Sequence, residues 1–283
     1  MEKQTKEPFS GKFIVFEGIG GSGKSTMCKK LHDFLVQKNV PTLLNTEPTK
    51  NNVFGITIRK IIEGDRLSRK FIHEKFGPEV MVFSAVMGME TIFLSQAKRS
   101  AAIDFGRKIN GVLGKIIDNE ELTELDRQII FMADRYFDLK DTIRPALTRG
   151  KWVIQDRFDW SSAAYGAGSD LTLTPREIFT WQDKGLENVL IKPDLVFFID
   201  LAPKKAVDRL VKSGKVIDRY ESLKSLNKIN RAYTDAFVSK KAKSLLTGIN
   251  GDCSEEEVFA QIVEQLRIHF PHDAKKYGFY RII

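Results

Sequence analysis

Five short apolar runs punctuate this chain, and the sequence between them carries helical period. Lys12 to Glu17 contains the unbroken run Phe13, Ile14, Val15 and Phe16 and ends in glycines, the pattern of a strand buried on both faces that feeds a tight turn. Ser25 to Gln37 follows with Met27, Leu31, Phe34 and Leu35 at helical spacing, so the unit is strand, loop, helix. Further buried strands are predicted at Pro41 to Thr46, Trp152 to Gln155, Leu195 to Asp200 and Ser244 to Ile249. Strands alternating with helical segments predict an α/β fold: a five-stranded parallel sheet flanked by helices, wound on both faces.

No internal repeat, low-complexity tract or linker rich in glycine, serine or proline divides the chain, so residues 1–283 read as a single domain. Residues 64–119 carry helical patterns but have no place in the sheet. They read as a helical insertion, which is thermodynamically easy because doubling a loop's length costs only about 0.6 kcal/mol of closure entropy.

The glycines after the first strand belong to the pattern GxxxxGK(S/T), met by Gly18, Gly23, Lys24 and Ser25 in GIGGSGKS. Glycines let successive backbone N–H groups turn inward, and the following helix presents its positive end to a phosphate. Gly18, Gly21, Ser22, Gly23, Lys24, Ser25 and Thr26 are therefore candidate contacts for ATP, with Lys24 on the β and γ phosphates and the Ser25 hydroxyl on Mg2+. A flexible glycine turn is the bland alternative; the position between a clear strand and a clear helix argues against it. The motif predicts the fold of the P-loop NTPases.

Composition narrows the remaining classes. Of 283 residues, 42% are apolar and 29% charged, ordinary for a globular domain. No apolar run approaches the roughly 18 residues that span a bilayer, and the polar start MEKQTKEPFSGK has no apolar secretion core, so a cytoplasmic protein is expected. Two cysteines far apart and four histidines without ligand spacing predict neither structural zinc nor a disulfide framework. The formal charge of +8 admits a nucleic-acid partner, but a site for polyanionic nucleotides accounts for part of it, and nucleic-acid binding is not the expectation.

Blocks in a fixed order give the pattern a family resemblance. FIVFEGIGGSGKST, TEPT at 46–49, FMADRYFDLKDTIRPALTRGKWVIQDRF at 131–158, PDLVFFID at 193–200 and DRYE at 218–221 resemble the thymidylate kinase family of nucleoside monophosphate kinases. These enzymes move the γ-phosphoryl of ATP onto a deoxynucleotide monophosphate. Phe131 and Arg135 lie on one helical face and can meet one ligand. The resemblance implies that Phe131 stacks on thymine and Arg135 reads the base; plain core is the alternative for Phe131. Asp156 and Arg157 follow a strand, where open α/β sheets place ligands. They resemble the family's DRY/DRH motif, which implies that Arg157 clamps phosphate and Asp156 organises Mg2+, partly through water; a surface ion pair is the bland reading. The same resemblance implies that Ser161, Ser162 and Tyr165 surround the base and sugar, with Tyr165 crowding out a ribose 2′-hydroxyl. Glu47 and Arg59 then fall on the acceptor side, with Arg59 on its phosphate, unless Arg59 is only a helix-surface residue. Arg209, Lys212, Lys215 and Arg219, within 209–221, resemble the mobile lid that closes over ATP, although a charge run is usually a solvated face. A homodimer is also implied.

Four departures bear on that expectation. The family usually carries Asp or Glu at the third position of the phosphate loop, where it meets the sugar 3′-hydroxyl, and this chain has Gly20. One acceptor contact is missing or replaced. No arginine stands within Gly20, Gly21 and Ser22, so the lid must supply charge for the transferring phosphoryl, and Arg219 is the catalytic expectation beside Lys24, Asp156 and Arg157; arginine fingers are worth about a thousandfold or more in rate. Thr46 also stands where bacterial relatives often carry arginine, and the interval from Arg59 to Phe131 is several times the usual one. It holds Met81, Val82, Phe83, Val86, Met87, Met89, Ile92 and Phe93, apolar enough to need cover, with a dimer contact preferred over a wall of the acceptor pocket or an extended core. The reaction expected is transfer from ATP to dTMP. The alternatives are a deoxynucleoside kinase with Glu47 as base, a kinase of another nucleoside monophosphate, and a non-catalytic nucleotide-binding module.

Overall fold

The computed structural model describes residues 9–64, 67, 69–76, 96–118, 120–170, 172–214, 218–239 and 246–279. Five parallel strands form one sheet in the order β2-β3-β1-β4-β5: β1 (Phe13–Glu17), β2 (Thr42–Thr46), β3 (Trp152–Asp156), β4 (Leu195–Asp200) and β5 (Leu246–Asn250). Each is a predicted strand shifted by at most two residues at an end. Along β1 the side chains alternate between two cores. Phe13 and Val15 enter one cluster, while Ile14 and Phe16 enter the other, as a strand covered on both faces requires.

The helices are α1 (Lys24–Gln37), α2 (Val53–Glu63), α3 (Arg69–Phe76), α4 (Gln96–Ile117), α5 (Glu124–Phe137), α6 (Arg144–Thr148), α7 (Asp159–Ser169), α8 (Pro175–Gly185), α9 (Pro203–Lys212), α10 (Leu223–Ser239), α11 (Glu255–His269) and α12 (Pro271–Tyr277). A π-helical turn, Asp138–Ile143, joins α5 to α6. Met27, Leu31 and Leu35 of α1 pack with Val258, Ile262 and Leu266 of α11 on one sheet face; α5 and α6 cover the other. A third cluster, with Ala163 and Ala164 of α7, Ile229 and Tyr233 of α10 and Leu210 of α9, lies beyond the carboxyl ends of the strands.

Reciprocal side-chain caps start α5 (Thr123 with Asp126), α8 (Thr174 with Glu177) and α11 (Ser254 with Glu257). Helix α1 has no side-chain cap, and its N-cap position is Gly23 of the glycine loop.

Within 64–119 the described helices are α3 and α4. In α4, Phe105, Ile109, Val112, Leu113 and Ile116 are buried in the cluster shared with α5 and the sheet, so α4 extends the core. The apolar residues between Met81 and Phe93 lie outside the described residues. No described helix is long and apolar enough to cross a membrane.

Candidate active site

Between β1 and α1 the chain wraps into the phosphate loop. Gly18, Gly21 and Gly23 have φ of 141°, 75° and 99°, open to glycine and strained for other residues. At Gly21 there is a second constraint, because a Cβ there would lie 2.4 Å from the Ala206 carbonyl of α9. Lys24 is buried and folds its Nζ onto the loop, donating to the Ile19 carbonyl at 2.7 Å and to Ser22 Oγ at 3.3 Å. Burial, helped by the nearby charge of Arg157, pulls the Lys24 amine down to about 7. Ser25 and Thr26 are exposed at the start of α1.

Strand β3 delivers Asp156 beside this loop. Ser25 Oγ donates to Asp156 Oδ2 at 2.5 Å, and Asp156 Oδ1 is buried without a hydrogen-bond partner. A hydroxyl and an orphaned carboxylate oxygen side by side suit a hard divalent cation that takes its other ligands from phosphate and water. No cluster of three or more histidine, cysteine, aspartate or glutamate ligands occurs among the described residues, so a cage made of protein alone is not the match. Magnesium fits.

Arg157 follows with φ 70°, an uncommon conformation for a residue with a side chain. Its Nη1 donates to the Gly18 carbonyl and to Ser161 Oγ, each at 3.3 Å, and its guanidinium carbon lies 4.8 Å from the centre of the Tyr165 ring. Beneath it is Glu17, fully buried at the end of β1. Its carboxylate accepts from the N–H groups of Phe158 (2.9 Å) and Ser161 (3.2 Å), from Ser161 Oγ (2.5 Å) and from Tyr233 OH (3.0 Å). Burial pushes the Glu17 carboxyl up, and the Ser161 hydrogen bond opposes the shift. Glu17 thereby ties the entry of the phosphate loop to the turn that carries Arg157. The signal was a lone carboxylate ending an apolar strand.

On the acceptor side Arg135 is 1% exposed and paired with Glu47. Its Nε donates to Glu47 Oε1 at 3.0 Å and Nη2 also donates to that carboxylate, while Nη1 reaches Gln182 Oε1 at 2.7 Å and Nη2 reaches Ser162 Oγ at 3.0 Å. Burial raises the Glu47 carboxyl, and the guanidinium opposes it. Arg59 Nε donates to the Thr49 carbonyl at 3.2 Å, and its Nη2 donates to that of Pro48, bracing the turn after β2.

Ser25, Glu47, Arg59, Phe131, Arg135, Asp156, Arg157, Ser161, Ser162 and Tyr165 line one cavity of about 440 Å³, of the size that holds a small ligand. Asp218, Tyr220 and Glu221, unassigned from sequence, line it as well. Glu221 bears directly on the missing loop carboxylate. A Cβ on Gly20 would sit 3.0 Å from Glu221 Oε1 and 3.2 Å from its Cγ, so a carboxylate from the DRYE segment stands against the empty position.

The remaining predicted lid cations are elsewhere. Arg219 is exposed, over the Tyr220 ring, and lines an outer cavity with Glu124, Arg127 and Lys228. Arg209 Nη2 donates to the Gly251 carbonyl at 2.8 Å, Lys212 is exposed at the end of α9, and Lys215 lies outside the described residues.

A model of the thymidylate kinase family matches residues 85–262. A thymidylate kinase of Leptospira borgpetersenii is 32% identical over 221 residues, 78% of each chain. The chain belongs to the thymidylate kinase family. One from Leptospira interrogans is 33% identical over 221 residues, 78% of this chain and 79% of its own. A thymidylate kinase of Blochmanniella pennsylvanica is 27% identical over 260 residues, 90% and 94% of the two chains. Within this thymidylate kinase member, the family match spans Phe131, Arg135, Asp156, Arg157, Tyr165 and the DRYE segment. The phosphate loop precedes the matched residues and stands on its own geometry.

Proposed function

We propose that the chain is a thymidylate kinase that moves the γ-phosphoryl of ATP to dTMP, giving ADP and dTDP. One observation carries this reading: a single cavity joins the Ser25, Asp156 and Arg157 end, suited to phosphate and metal, to a Phe131, Arg135 and Tyr165 end, suited to a base. An acceptor phosphate oxygen attacks the γ-phosphorus in line, the bond from that phosphorus to the β–γ bridging oxygen breaks, and its electron pair leaves with ADP. Little covalent work falls to the protein; positioning and charge do the rest.

Lys24, recharged by the incoming polyphosphate, neutralises the β and γ phosphates. Ser25 and Asp156 would hold Mg2+, which would supply positive charge to the transferring phosphoryl group. Arg157 and Arg59 hold the acceptor phosphate. Phe131 offers its ring to thymine and Tyr165 narrows the sugar site. Ser162 and Glu47 act by fixing Arg135, and Ser161 acts by fixing Glu17 and Arg157. Glu221 replaces the loop carboxylate and accepts the sugar 3′-hydroxyl. In this reading Arg219, Arg209, Lys212 and Lys215 serve as the cations that meet ATP when it binds.

A nucleoside kinase with Glu47 as general base is the weaker reading, because Arg135 engages both Glu47 oxygens. The proposal includes a cytoplasmic homodimer, with residues 64–119 as the insertion and 209–221 as the lid. Light scattering tests the dimer. A coupled ADP-release assay with dTMP, thymidine, dUMP, dCMP and dGMP tests the activity; phosphorylation of thymidine alone overturns it.

A further inference from the structure

Gln128 lies on the face of α5 that carries Phe131 and Arg135, one turn before Phe131, and it lines the same cavity. It is 1% exposed. Its Nε2 donates to Glu124 Oε1 at 3.0 Å, and Glu124 is held in turn by Arg127 Nε at 3.0 Å. A carboxylate only accepts, so the contact fixes which way the amide points: nitrogen to Glu124, oxygen away. That oxygen is buried and has no hydrogen-bond partner. A buried acceptor left unpaired is a costly thing for a fold to keep.

Helix α7 makes the room for it. A Cβ on Gly166 would lie 3.2 Å from Gln128 Cδ and Nε2 and 2.6 Å from Ile178 Cδ1, so no side chain fits there and the Gln128 amide fills the space. Arg135, one turn beyond Phe131, commits Nε, Nη2 and one Nη1 hydrogen to Glu47, Ser162 and Gln182. A guanidinium has five N–H donors, so one Nη1 hydrogen remains beyond these partners. Gln128, with one unpaired acceptor, and Arg135, with one N–H beyond these partners, thus line the same cavity on either side of Phe131 in α5.

We propose that Gln128 is a base-reading residue, whose amide oxygen takes the N3–H of a pyrimidine imide while Arg135 donates to the adjacent O4. The assignment rests on the dTMP reading of the site and adds the group that discriminates. Cytosine presents a lone pair at N3 and an amine at C4, reversing both partners, and so meets the oxygen with an acceptor.

Steady-state kinetics on the full chain with dTMP, dUMP and dCMP at saturating ATP and magnesium test this. Gln128→Leu is expected to raise the KM for dTMP and dUMP about tenfold, leaving kcat and the KM for ATP nearly unchanged. The dCMP reaction changes less, so the preference for dTMP over dCMP falls by a similar factor. An unchanged dTMP KM and an unchanged preference overturn the proposal. Should the leucine variant fail to fold, calorimetry on the unmutated protein decides: N3-methyl-dTMP is expected to bind at least tenfold more weakly than dTMP, and equal affinity overturns the proposal. An unmutated enzyme that prefers dCMP overturns the dTMP reading and this inference together. That failure is recognised because it precedes any substitution.

Discussion

Removing the Glu221 carboxylate tests how the chain manages without an acidic residue at position 20. Glu221 Oε1 stands 3.0 Å from where a Cβ on Gly20 would be, on a half-buried side chain lining the cavity. A hydrogen bond from a neutral hydroxyl to a charged group contributes about 1.5–3 kcal/mol, and each 1.4 kcal/mol is about tenfold. Glu221→Ala should therefore lower kcat/KM for dTMP by about ten- to a hundredfold and leave the KM for ATP within about twofold. Two controls locate the effect. A 2′,3′-dideoxy acceptor has no hydroxyl to lose, so its reaction should be insensitive to Glu221→Ala. Gly20→Asp should impair the parent by crowding two carboxylates together, yet restore much of the activity of Glu221→Ala. Equal losses with dTMP and the dideoxy acceptor, or no restoration in the double variant, refute the replacement.

Other outcomes follow from the same geometry. Glu47→Ala strands the buried Arg135 guanidinium and should cost about 3–5 kcal/mol in urea unfolding, whereas Glu47→Gln, which keeps an acceptor, should cost clearly less; equal losses contradict a charge role for the pair. Because burial holds the free Lys24 amine down to about 7, ATP binding above that pH must take up a proton, so affinity should weaken as pH rises from 7 to 8. Calorimetry in buffers of different ionisation enthalpy reads this uptake directly, and buffer-independent heats contradict it. Asp156→Asn keeps the shape next to Ser25 but weakens the cation site, and should raise the magnesium concentration at half-maximal rate and cut kcat about a hundredfold or more. Gly21→Ala introduces strain at φ 75° and a clash with the Ala206 carbonyl, and should weaken ATP binding more than dTMP binding in calorimetric titrations.

How far the sequence foretold these features depended on the range of the physics involved. Strand β1, the loop and α1 form one local unit whose apolar runs, glycines and helical period all agree, so their identity was legible at once. Asp156 and Arg157 were legible for a similar reason, since a strand's carboxyl end places them near any ligand of such a sheet. The partners of these residues were not. Glu17 meets Tyr233, Arg135 meets Glu47 and Gln182, and Glu221 meets Gly20 only after distant elements dock, and no spacing rule links them. In α4 the amphipathic pattern announced a helix but not the core it joins. Arg219 shows the converse: its charge is plain in sequence, while its place over the Tyr220 ring depends on packing.

The proposed function requires that one cavity join a phosphate-transfer end to an end that takes thymine. Initial rates of ADP release, measured with ATP and magnesium across dTMP, dCMP, dGMP and thymidine, test it most directly. The highest kcat/KM is expected with dTMP, with dTDP forming in step with ADP. Turnover of thymidine but not of dTMP would contradict it.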